Sequence, residues 1–180
     1  PDERLRGTIR FGIHGVRMLC TAAIVMAFLG YFGDWLTLLP SELLSGDACS
    51  RVTESWSVMT KLDDFMPLTA ENCGQFGLDT RIVTGLDQVM ASPAGLLEGQ
   101  RLALVDVINS AAWILVVILL EIEVRVLTRW GGASMPLSQV ATFTKAALYA
   151  TLVAAAIYWG FKGDFLDFWD AALWLFAFVF

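Results

Sequence analysis

Long uncharged runs separated by polar stretches set the pattern of this chain. Four of them stand out: 18–33 (MLCTAAIVMAFLGYFG), 102–120 (LALVDVINSAAWILVVILL), 146–161 (AALYATLVAAAIYWGF) and 165–180 (FLDFWDAALWLFAFVF). At about 1.5 Å per residue, roughly 20 residues of helix cross the hydrocarbon of a bilayer. The second run has that length, and the first and third reach it if Arg17 and Lys145 extend toward the headgroups. The fourth is too short, and an apolar run reaching Phe180 predicts that the natural chain continues by at least a turn or two. The expected fold class is an all-α integral membrane protein with four transmembrane helices. The spans are placed at 18–33, 101–121 and 145–161, with an outer turn and the start of the fourth in 162–180.

The segments between them set the orientation. Arg4, Arg6, Arg10 and Arg17 belong to a basic N-terminal segment, 1–17, while Arg125, Arg129 and Lys145 flank the loop 122–144. The insertion 34–100 holds ten acids against three bases, Arg51, Lys61 and Arg81. Basic residues collect on the cytoplasmic side of membranes. Both termini are therefore expected in the cytoplasm and 34–100 in the periplasm of a bacterial inner membrane. A signal peptide is disfavoured, because the run after Arg17 lacks an A-x-A-like cleavage site.

The insertion is expected to be mostly helical, from three amphipathic pieces: 35–44, 54–66 and 79–90. In the last, Ile82, Val83, Leu86, Val89 and Met90 share a helical face. Ser92-Pro93 reads as N-cap and first helical position, which starts the second membrane helix early. Cys49 and Cys73 lie in this acidic outer segment and are predicted to form a disulfide. Cys20 falls mid-membrane, as a small packing residue. Gly131-Gly132 and Pro136 should break the chain before the third span.

An internal repeat emerges when the chain is shifted against itself. Gly30-x-x-Gly33-Asp34-Trp35-Leu36 matches Gly160-x-x-Gly163-Asp164-Phe165-Leu166, and Asp106-x-x-Asn109-x-x-x-Trp113 matches Asp167-x-x-Asp170-x-x-x-Trp174. The reading is two parallel helical hairpins related by an axis along the membrane normal, the first carrying the insertion.

Composition agrees and narrows the chemistry. Of 180 residues, 57% are hydrophobic and 17% charged, against about 25% charged in soluble domains. A net charge of −6 with 12 basic residues in no block argues against nucleic acid as a partner. His14 is the sole histidine, so bis-His haem or zinc chemistry within the chain has no ligand set. No Ser/His/Asp or Cys/His set or phosphate loop is present, and no enzyme activity or cofactor is expected beyond bound lipid.

Three groups remain as candidates. Asp106, Asn109, Asp167 and Asp170 occupy helical stripes that symmetrical packing would gather into one ion or polar site. Their plainer reading is helix N-terminal residues facing headgroups. Arg6, Arg10, His14 and Arg17 form a basic stripe for lipid headgroups or an acidic partner. Ala147, Thr151 and Ala155, with the parallel line Ala146, Ala150 and Ala154, would let another helix approach closely. Trp35, Trp130, Tyr158, Trp159 and Trp169 suit interfacial aromatic belts. The leading functional expectation is a non-catalytic membrane subunit or scaffold, assembling with itself or with other membrane proteins. The alternatives are a cation or proton channel or carrier using the four polar residues, and a membrane sensor with a further cytoplasmic part.

Overall fold

The computed structural model of the protein describes residues 2–130, 135–163 and 165–179. Four helices account for most of it: α1 (Asp2–Leu38), α2 (Pro93–Trp130), α3 (Met135–Lys162) and α4 (Phe165–Val179). Three of them are long and apolar enough to cross a membrane, over Phe11–Leu38, Pro93–Arg125 and Gln139–Lys162, which fits an integral membrane protein. Pro93 opens α2 as its spacing implies, with the Gly95 N–H donating to Ser92 Oγ at 3.1 Å. Gly131-Gly132, Asp164 and Phe180 lie outside the described residues, as do the side chains of Arg4, Arg6, Arg10, Arg129 and Trp130.

The helices pack in chain order, α1 on α2, α2 on α3 and α3 on α4. Ile24, Phe28, Trp35 and Leu38 form the half-buried to buried stripe of α1, at spacings that return to one face. Among the described residues, α1 and α4 do not pack extensively on each other. Ion pairs tie neighbours at both ends: Arg17–Glu121 joins α1 to α2, and Lys145–Glu123 (2.9 Å) and Lys162–Glu98 (3.7 Å) join α3 to α2. Cys20 is exposed on α1.

The segment between α1 and α2 overturns the expectation of a mostly helical insertion. It is a five-stranded sheet, β1 (Ser41–Leu43), β2 (Ser57–Lys61), β3 (Asp64–Pro67), β4 (Arg81–Val83) and β5 (Val89–Ala91), in the order β1-β4-β5-β2-β3. All pairings are antiparallel except β2 with β5. The helical periodicity of 79–90 is coincidental. Val83 and Val89 face one side of the sheet, Ile82 and Met90 the other, and the chain turns between them. The 54–66 piece is the β2–β3 hairpin, with Asp63 in the left-handed region (φ 62°) at its turn. Of 35–44, the first four residues end α1, and Pro40 separates them from β1.

Both faces of the sheet are covered over its central strands β4, β5 and β2, while β3 stays exposed. One packs on the helix ends, where Met59, Val83, Val89 and Ala91 meet Leu38 of α1 and Leu96 and Ala103 of α2. The other lies under 3₁₀ turns at Ala48–Glu54 and Cys73–Gln75, where Val58 and Met90 meet Leu44, Ala48, Leu68 and Cys73. The Cys49–Cys73 disulfide joins those two turns. Beside it, Trp56 Nε1 and Arg51 Nη1 both donate to Glu54 Oε2 at 3.0 Å. The Trp56 hydrogen bond, then that of Arg51, holds the Glu54 carboxyl below its usual range.

The sheet is anchored to the helices by polar contacts as well. Gln100 Nε2 donates to the Leu38 carbonyl at 2.7 Å, satisfying an otherwise open end of α1. Gly85, after β4, lies so close to α1 that a Cβ there would overlap the Thr37 carbonyl. Gly85→Ala should therefore cost about 1–3 kcal/mol by forcing backbone apart, measurable as a lowered unfolding temperature. Gly46→Ala, with open space around it but a positive φ, is the strain-only comparison.

Candidate functional site

Asp106, Asn109 and Trp113 stand at i, i+3 and i+7 of α2, and Asp167, Asp170 and Trp174 repeat that stripe on α4. All six line one cavity of about 750 Å³ at the end of the helical bundle that carries the sheet. The β2–β3 turn forms its roof with Lys61, Leu62, Asp63 and Asp64. Tyr31 of α1, Trp159 of α3 and Gly163 just after it complete the wall, with Leu102 and Ala171 as apolar lining. Five aspartates thus face one space with a single lysine among the described lining residues.

Asp106 and Asp64 are each held by a neighbouring side chain. Trp159, only 6% exposed, donates its indole N–H to Asp106 Oδ1 at 3.0 Å across the α2–α3 interface. This corrects its expected place in an interfacial belt: the ring is packed with Leu102, Ala155 and Ala171. Asp64 Oδ2 accepts from Thr60 Oγ1 at 2.7 Å, which braces the turn. Gly160 lies where a Cβ would press on the Phe168 ring at 3.2 Å, so its missing side chain lets α4 fold closely against α3. Gly30 and Gly33, the glycines of the similar sequence motif, have nothing within 4 Å and lie inside the continuous α1. The two glycine motifs therefore serve different local structures, a helix interior and a helix end.

No group of three His, Cys, Asp or Glu side chains among the described residues is arranged to hold a metal ion. Directly inward from the cavity, Ala112, Val116 and Leu152 form a buried apolar cluster between α2 and α3.

The other sequence candidates are dispersed. Arg17 is paired with Glu121, which also accepts from Arg125 Nε at 2.7 Å, while His14 is exposed. On α3, Ala147 is exposed, Thr151 half-buried and Ala155 buried, so that line turns from the surface into the chain's own core. Ala146, Ala150 and Ala154 stay exposed along their length. Lys61, Asp63, Asp64, Tyr31 and Trp159 were not singled out for this site from sequence. The roof residues reach it only through the sheet's tertiary pairing, which no local pattern encodes.

No protein-family model, curated protein or solved structure matches the chain significantly.

Proposed function

We propose that this is a non-catalytic membrane protein that binds a cation in the cavity between its helices and its sheet, on the extracytoplasmic side. The observation that carries this is the set of five aspartates and one lysine around a single cavity. Acidic side chains at helix depth are costly unless they face protein or water and meet positive charge. A repeated D-x-x-[ND]-x-x-x-W stripe, one per hairpin, would supply two opposed walls of such a site. The apolar cluster of Ala112, Val116 and Leu152 beneath the cavity favours binding over conduction.

The test is binding of Ca²⁺, Mn²⁺, tetramethylammonium and choline to the protein in lipid nanodiscs, by calorimetry. At least one is expected to bind saturably, and Asp106→Asn with Asp170→Asn to weaken it at least tenfold. Asparagine keeps an acceptor for the Trp159 indole, so the loss reads charge rather than packing. Saturable binding by none of the four would sink the proposal. Cation flux in liposomes that the same pair abolishes would replace binding by carriage.

A second reading, assembly as a subunit with itself or with other membrane proteins, has its own support. No residue in the most apolar window of α1 is buried within the chain, and Ala146, Ala150 and Ala154 leave a small-residue line open on α3. Mass measurement in native nanodiscs tests it. Ala150→Phe should reduce a multimer to the monomer, and a monomeric parent protein would remove the self-assembly form of this reading.

A further inference from the structure

We infer that the cation this cavity takes is an organic ammonium with an apolar body, not a bare metal ion. This deepens the cation-binding proposal and rests on it. Size is the first argument. About 750 Å³ falls in the range of small-molecule sites, roughly 300–1,000 Å³. It is far more than a metal ion needs.

The placement of the carboxylates is the second. They come from three separate elements: Asp63 and Asp64 from the hairpin turn, Asp106 from α2, and Asp167 and Asp170 from α4. Calcium requires about 6–8 oxygens within roughly 2.3–2.6 Å, yet no three acidic, thiol or imidazole groups among the described residues gather for a metal. Asp106 is moreover fixed by the indole of Trp159 at 3.0 Å. Charges spread around a wide wall suit a delocalised or bulky cation, which takes long-range attraction from several directions without coordinating bonds.

The aromatics are the third argument, independent of charge. Three of the helices contribute one to the same wall, Tyr31 from α1, Trp113 from α2 and Trp174 from α4, beside the buried edge of Trp159 from α3. Indole faces attract alkylammonium groups and accept their methyl surface, the combination used to recognise quaternary amines. A strongly hydrated metal ion gains little from such walls, whereas an ammonium bearing carbon substituents uses both the carboxylates and the rings.

The experiment uses the full chain in nanodiscs, with choline, tetramethylammonium, Ca²⁺ and Mn²⁺ as probes and 3,3-dimethyl-1-butanol as the uncharged isostere of choline. An ammonium is expected to bind at least tenfold more tightly than either metal, and choline at least tenfold more tightly than the isostere. Trp174→Leu should weaken ammonium binding at least fivefold. Because Trp174 is half exposed, its replacement should keep the parent unfolding temperature, which is measured alongside. Tighter metal binding that Asp170→Asn abolishes and Trp174→Leu leaves alone would overturn this inference while sparing the cation-binding proposal. Binding of the isostere equal to choline, or of no probe at all, would overturn both.

Discussion

Replacing Cys49 and Cys73 together by serine is expected to destabilise the sheet unit by about 2–4 kcal/mol, the usual value of a disulfide closing a loop of this size. The bond spans 24 positions of sequence, and the loop it closes contains β2, the cavity-roofing turn and β3. The layer it fastens is thin. Its buried hydrophobic residues are Leu44, Ala48, Val58, Leu68, Cys73 and Met90. Cys73 is itself 4% exposed, so a serine hydroxyl there adds a desolvation cost to the lost cross-link. Helix packing below does not depend on the bond, so helical circular dichroism should persist while 48–76 becomes sensitive to protease. Reduction of the parent protein should reproduce the effect. An unfolding temperature and a digestion pattern equal to the parent's would show that the sheet's own packing suffices.

The helices were legible because their apolar runs are long and their punctuation is conventional. Ser92-Pro93 marks the start of α2 in one dipeptide, and its N-cap bond is present. The convergence of Asp106, Asn109, Asp167 and Asp170 on one cavity was also accessible, since two polar stripes at identical spacing on apolar helices have few places to go except toward each other. The sheet was not legible, for a physical reason. Its strands have only three to five residues, and both faces of the central ones are covered. Val58-Met59 and Val89-Met90-Ala91 consequently show consecutive apolar residues where a half-exposed strand would alternate. Its turns place Ser55, Asp63 and Gln88 at positive φ instead of the Asn-Gly or Asp-Gly pairs that announce hairpins. The β2–β5 pairing joins positions about thirty residues apart in parallel, and no local propensity points to it. The roof of the cavity was missed with the sheet. Trp159 was misplaced because a helical stripe shows which residues share a face, not which neighbour that face meets.

Met59→Ala should have the largest effect of any single substitution on the union of sheet and helices, about 2–5 kcal/mol. Met59 is 2% exposed and belongs to the cluster that joins Leu38 of α1, Val83, Val89 and Ala91 of the sheet, and Leu96 and Ala103 of α2. Its methyl end reaches the backbone of α2 at Gly99, where a Cβ would come within 3.1 Å of it. Truncation therefore opens a void at the seam, and the rigid β2–β5 and α2 backbones leave little scope for collapse. The consequence extends to the site. Two residues beyond Met59, the chain enters the turn whose Lys61, Asp63 and Asp64 roof the cavity, so loosening the seam frees the roof without touching any lining side chain. Cation affinity should fall together with the unfolding temperature, whereas Met66→Ala on β3, where the side chain is 39% exposed, should stay within about 0.5 kcal/mol of the parent. Gly99→Ala supplies the complementary perturbation, crowding the same methionine from the α2 side. If Met59→Ala lowers stability by the stated amount and leaves cation affinity unchanged, the hairpin turn is no part of the binding site, and the aspartates of α2 and α4 must hold the ligand alone.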